Sequence, residues 1–125
     1  MSTQHTAMTT HEVANRLVEL CRSGQIIPCQ EELFADNIKS IEAPGSPNPT
    51  VEGKEAVIEK GKHFSSMIEE VHGSNISDPV VAGNWFSISW MFDVTMKGHG
   101  RQKMDEICVY KVVDGKIASE QFFSN

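Results

Sequence analysis

From Val13 onward the apolar positions recur every three to four residues. Val13, Ala14, Leu17, Val18, Leu20 and Cys21 form one stripe, the spacing of a helix that buries a single face. Thr9-Thr10-His11-Glu12 offers a capping box ahead of that stripe, and Gly24 offers a left-handed stop after it. Pro28 followed by Gln30 to Ala35 predicts a short second helix that ends at Asp36-Asn37. Ile38 to Ala43 then alternates as a short strand does, with Ile38, Ser40 and Glu42 on one side and Lys39, Ile41 and Ala43 on the other, and the apolar side is ambiguous. Pro44, Pro47 and Pro49 make the next segment an exposed loop, because proline cannot donate to a ladder. A third helix is expected from about Glu52 to Glu70 on a stripe of Val57, Ile58, Phe64, Met67 and Ile68, where Gly61 permits close approach of a neighbour.

At Val71 the period changes to two. Strand-like runs at 71–76, 80–82, 85–96, 102–113 and 116–123 are separated by Gly83-Asn84, Gly98-His99-Gly100 and Asp114-Gly115, each a hairpin signal. The order α-α-β-α followed by β-hairpins predicts an α+β fold, three helices on a strongly curved mixed or antiparallel sheet. Residues 1–8 are polar and aperiodic and read as a disordered tail, which leaves 9–125 as one domain.

Composition narrows the function classes. The chain has 125 residues, 39% of them hydrophobic, and this is enough to bury a core without disulfides or metal. A formal net charge of −6 with scattered basic residues would repel a nucleic-acid backbone. No run of about 18 apolar residues and no basic leader are present, so no membrane partner is expected and the cytoplasm is the expected location. Cys21, Cys29 and Cys108 are odd in number and lack C-x-x-C spacing, as suits reduced thiols used as small apolar side chains. There is no G-x-S-x-G elbow, Gly-rich phosphate loop or H-E-x-x-H, so neither a cofactor nor a metal is expected.

Alternation places the candidate chemistry. Phe86, Ile88, Trp90, Phe92, Val94 and Met96 share the core face of the long strand, which makes Trp90 and Phe92 candidate pocket walls. Trp85, Met91 and Asp93 share the other face, apolar enough to suggest a homodimer interface. On the next strand Met104, Glu106, Cys108, Tyr110 and Val112 are the expected inner set. That puts one carboxylate, Glu106, in an apolar row, where its pKa should rise. The side of Glu120 depends on the last turn. A two-residue Asp114-Gly115 turn pairs Val113 with Lys116 and sends Glu120 outward, whereas a three-residue loop pairs Val112 with Lys116 and sends Glu120 and Phe122 inward. The second reading is preferred.

Leu33-Phe34-Ala35-Asp36-Asn37, Glu42-Ala43-Pro44, Val51-Glu52-Gly53-Lys54-Glu55-Ala56 and Asp114-Gly115-Lys116-Ile117, in that order, resemble the nuclear transport factor 2-like superfamily and its SnoaL-like polyketide cyclase branch. The resemblance spans roughly residues 10–123 and implies a cone-shaped α+β barrel whose helices close a bent sheet over a pocket. That frame hosts isomerases, cyclases, dehydratases, hydrolases and non-catalytic binders, so fold does not decide function. Transfer from ketosteroid isomerase fails, because the matching positions carry Leu17, Ala43 beside Glu42, and Cys108. What the resemblance does imply is where pocket groups would lie: Glu42 at the end of the first strand and His72 at the hand-over from helix to sheet. The candidate catalytic set is therefore Glu42, His72, Glu106 and Glu120, and the candidate ligand-binding set is Leu17, His63, Trp90, Phe92, Cys108, Tyr110 and Phe122. His5, His11 and His99 read as surface residues. The expected activity is cofactor-independent proton transfer on a small, partly apolar carbonyl compound. The alternative is a non-catalytic ligand-binding or dimerising module, such as an accessory subunit.

Overall fold

The computed structural model describes residues 7–47 and 49–124. Three helices, α1 (Thr10–Arg22), α2 (Ile26–Leu33) and α3 (Lys54–Ser66), pack on seven strands: β1 (Phe34–Ile41), β2 (Thr50–Glu52), β3 (Ile68–Ile76), β4 (Val80–Ala82), β5 (Trp85–Met96), β6 (Gly100–Val113) and β7 (Lys116–Phe123). The sheet runs β2-β1-β7-β6-β5-β3, with β4 also on β5. It is mixed, because β1 lies parallel to β7 while the other pairs are antiparallel. The sheet curls without closing into a barrel, and β2 and β3 end the path. This is the expected α+β class. Among the described residues no helix is long and apolar enough to cross a membrane.

Local chemistry sets the element ends. Thr9 accepts from the Glu12 amide at 3.1 Å while Glu12 returns to the Thr9 amide at 2.8 Å, the capping box expected for α1. Gly24, at φ +77, terminates that helix as expected. The third helix is shorter than its apolar stripe suggests, since Met67 caps it and Ile68 already belongs to β3. Val57 is its one buried residue. The second helix likewise ends before Asp36, which lies inside β1. The proline-rich loop is followed at once by β2, an edge strand whose Val51 pairs with Ser40.

One face of the curl is the core. Phe86 and Ile88 of β5, Cys108, Tyr110 and Val112 of β6, and Ile117 of β7 are buried in one cluster with Val13, Leu17 and Leu20 of α1 and Leu33 of α2, while Val94 and Met96 of β5 are buried outside it. Residues 1–6 of the expected tail, with His5, lie outside the described residues. Its last two residues are placed, because a Cβ on Gly115 would come within 2.8 Å of the Met8 amide.

Candidate functional site

The parallel pairing of β1 with β7 puts Ser40 beside Glu120, and the β6–β7 pairing puts Tyr110 on the other side of it. A row Ser40, Glu120, Tyr110, Phe86 therefore crosses the sheet on its inner face. Each member of this row is buried, and Tyr110 stacks on Phe86 with centroids 4.7 Å apart. The carboxyl is thus surrounded by apolar or weakly polar groups with one strong partner, the Ser40 hydroxyl, which donates to Oε2 at 2.6 Å. Burial pushes the Glu120 carboxyl up to about 7. The serine bond and the Lys60 charge oppose that rise, while Glu42 and Glu106 add to it.

Glu120 reaches the inner face by a route the hairpin rules do not foresee. The turn is the two-residue form, with Val113 opposite Lys116 and both Asp114 (φ 49) and Gly115 (φ 77) left-handed. That turn alone would send Glu120 outward, so the preference for a three-residue loop is corrected. A register shift between Lys111 and Val112 inserts one residue on β7 and flips the face again, placing Glu120 opposite Tyr110 and Phe122 opposite Cys108.

Above this row the wall becomes polar and aromatic. Lys60, one turn beyond the buried Val57 on α3, donates to Ser40 Oγ at 2.8 Å and to Glu42 Oε1 at 2.5 Å, and its ammonium sits 5.7 Å from the Phe122 ring centre. Glu106 pairs across the sheet with Trp90. Its carboxyl is raised by burial first and by Glu42 second, with Lys60 opposing, and no hydrogen-bond partner for it occurs among the described residues. Trp90 meets Phe92 edge-on at 6.1 Å and donates Nε1 to Ser74 Oγ at 3.1 Å, while Phe92 stacks with Phe64 of α3 at 6.4 Å. A half-buried aromatic wall thus faces a set of three carboxyl groups and one ammonium. Among the described residues no three histidine, cysteine or carboxylate groups converge as a metal site.

The sequence-derived set divides. Glu42, Glu106 and Glu120 gather on the inner face with Trp90, Phe92 and Phe122. Leu17, Cys108 and Tyr110 are buried beneath them as core rather than wall. Burial pushes the Cys108 thiol up to about 12, and a Tyr110 hydrogen bond opposes that rise. His72 is not with them. Because α3 ends at Ser66, His72 lies within β3 rather than at its start, and register shifts on both sides of Val71 turn it outward. There Nε2 meets Thr95 Oγ1 at 2.6 Å and Nδ1 lies 3.5 Å from Glu70. His63 is exposed on the last turn of α3, off the stripe of Val57, Lys60 and Phe64. Sequence reading missed Ser40 and Lys60 as site residues. The signal for Ser40 was its place between Ile38 and Glu42 on one strand face; for Lys60 it was the i+3 and i−4 relation to Val57 and Phe64.

A hollow of about 290 Å³ is lined by Asn75, Ser89, Met91, Asp105, Ile107, Phe123 and Ser124 together with Trp90 and Glu106, so it shares two residues with the candidate site. Trp85, Ile107, Val113 and Phe123 are exposed on the outer face.

Residues 8–124 match the family model of the SnoaL-like domain. A crystal structure of a protein proposed to be a SnoaL-like polyketide cyclase, from Mesorhizobium loti, is 39% identical. It superposes at a TM-score of 0.86 over 92% of this chain and 98% of that one. A second protein of that proposed type, from Jannaschia sp. CCS1, is 12% identical at a TM-score of 0.75, covering 100% of this chain and 91% of that one. A ketosteroid isomerase-like fold from Catenulispora acidiphila, solved in complex with trimethylamine, is 20% identical at a TM-score of 0.71, covering 91% and 85%. No curated protein matches the chain. The match over almost the whole chain, together with the 39% identical relative, places this protein in the SnoaL-like domain family.

Proposed function

We propose that the chain is a small-molecule pocket protein that moves a proton on a small, partly apolar carbonyl compound without a cofactor, as an isomerase, cyclase or lyase does. The observation that carries this reading is the pair of inward carboxyl groups in different surroundings: Glu106 half-buried and without a hydrogen-bond partner among the described residues, Glu120 buried and held by Ser40. Two acids whose surroundings differ in this way are suited to opposite roles. Glu106, as carboxylate, takes the proton from the carbon next to the carbonyl; the C–H electron pair forms a C=C bond as the carbonyl π pair moves onto oxygen, and the protonated form of Glu120 gives that oxygen its hydrogen bond. Return of the proton from Glu106 to the same or another carbon completes exchange or isomerisation. Trp90, Phe92 and Phe122 would pack the apolar part.

The test follows deuterium exchange beside the carbonyl of a panel of cyclic and aromatic ketones by NMR. Acceleration by the wild type, reduced by about 10² or more in Glu106→Gln, supports the reading. Exchange that survives Glu106→Gln and Glu120→Gln together refutes it.

A second reading rests on the outer face. Trp85, Ile107 and Phe123 are exposed on that face, the latter two lining the 290 Å³ hollow, so a homodimer through β5, β6 and β7 is also proposed. A non-catalytic module would use that face alone. A cytoplasmic location accords with the three free thiols.

A further inference from the structure

Lys60 has no counterpart among the residues that sequence reading singled out, yet it bonds both Ser40 and Glu42 and acts by its charge on Glu106 and Glu120. Its ammonium carries donors only, so at 2.8 Å from Ser40 Oγ it must be the donor and the serine oxygen the acceptor. The hydroxyl hydrogen then has one partner left within reach, Glu120 Oε2 at 2.6 Å. Glu42, 2.5 Å from the same ammonium, holds Lys60 from its other side. Without Lys60, the Ser40 hydroxyl would be free to rotate away from the carboxyl.

We propose that Lys60 is a positioning residue: by donating to Ser40 Oγ it turns the serine hydrogen onto Glu120 Oε2, and so leaves Oε1 as the oxygen that exchanges a proton with a bound molecule. This deepens the proton-transfer reading and rests on it for its meaning in catalysis, but not for its test. Other groups also act on Glu120: Glu42 just after β1, Glu106, Cys108 and Tyr110 from β6, and Cys21 from α1. None of these bonds the Ser40 hydroxyl among the described residues, so a cycle on Lys60 and Ser40 isolates the chain from the general field.

The experiment titrates Glu120 by carboxyl-carbon NMR, with no ligand present, in the wild type, Ser40→Ala, Lys60→Met and the double variant. Lys60→Met and Ser40→Ala should each raise the midpoint by on the order of one pH unit, as loss of a charge-assisted hydrogen bond does. In the Ser40→Ala background, Lys60→Met should shift it by less than half as much, and Lys60→Arg should keep the wild-type midpoint. Equal Lys60→Met shifts in both backgrounds would mean that the lysine acts only through its field, and the proposal would fall. Lys60→Gln repeats the cycle if the methionine variant does not fold. Ketone exchange is read separately. A coupled cycle without exchange refutes the reaction and leaves the positioning intact, whereas exchange with an additive cycle refutes the positioning alone.

Discussion

Replacing Glu120 by glutamine should alter the pH dependence of stability more than stability at any single pH. In the folded chain the carboxyl titrates at about 7, against an ordinary 4.5. Between those values the native state keeps a proton that the unfolded chain has released. Stability therefore falls as pH rises through this window and levels off above it. A gap of two to three pH units at 1.36 kcal/mol each is worth roughly 3 kcal/mol. Glu120 is 5% exposed, so solvent screening removes little of this. Glu106, also raised by burial, acts in the same direction. Glu32 and Asp93, held low by Arg16 and Arg101, act the opposite way, but only at lower pH, where protonating them removes their ion pairs. Urea unfolding at pH 5 and pH 8 should find the wild type less stable at pH 8 by roughly 2 to 3 kcal/mol, with m unchanged, and Glu120→Gln should keep only the smaller slope that Glu106 contributes. Parallel slopes for the two proteins would show that burial does not raise the Glu120 carboxyl above its ordinary value.

Thr9→Ala removes one half of the α1 capping box and should lower urea-unfolding stability by about 1 kcal/mol. Gly115→Ala should be at least as damaging, because it sets a side chain at φ +77 and 2.8 Å from the Met8 amide. All three thiols should label slowly in the native state. This includes Cys29, which a helix-start position would suggest is reactive but which is 2% exposed; rapid labelling of Cys29 without unfolding would contradict its packing. Trp85→Glu should convert a dimer to a monomer by light scattering with unchanged circular dichroism, whereas a monomeric wild type at high concentration would dismiss the outer-face interface.

The α+β class, the capping box and the alternation of β5 and β6 were legible because each rests on neighbours along the chain: Thr9 with Glu12, Trp90 with Phe92, Glu106 with Cys108. What failed depended on partners far away in sequence. The length of α3 was overread because Met67 and Ile68 continue its apolar stripe, although Ile68 is drawn into pairing with Met96. That error carried His72 to the wrong side. The inner position of Glu120 was foreseen for a mistaken reason, since a register shift rather than the turn provides it, and local turn chemistry does not encode shifts of this kind. Ser40 and Lys60 were overlooked because their meeting requires α3 to cross β1, a tertiary contact between residues 20 positions apart.

Carboxyl-carbon NMR titration of the wild-type protein, with Glu120→Gln used to assign the resonance, tests the inward-acid site most directly. The account predicts that Glu120 titrates near 7 and Glu106 above the ordinary glutamate value of about 4.3. Both carboxyls titrating at the ordinary value would place them in solvent and contradict the site.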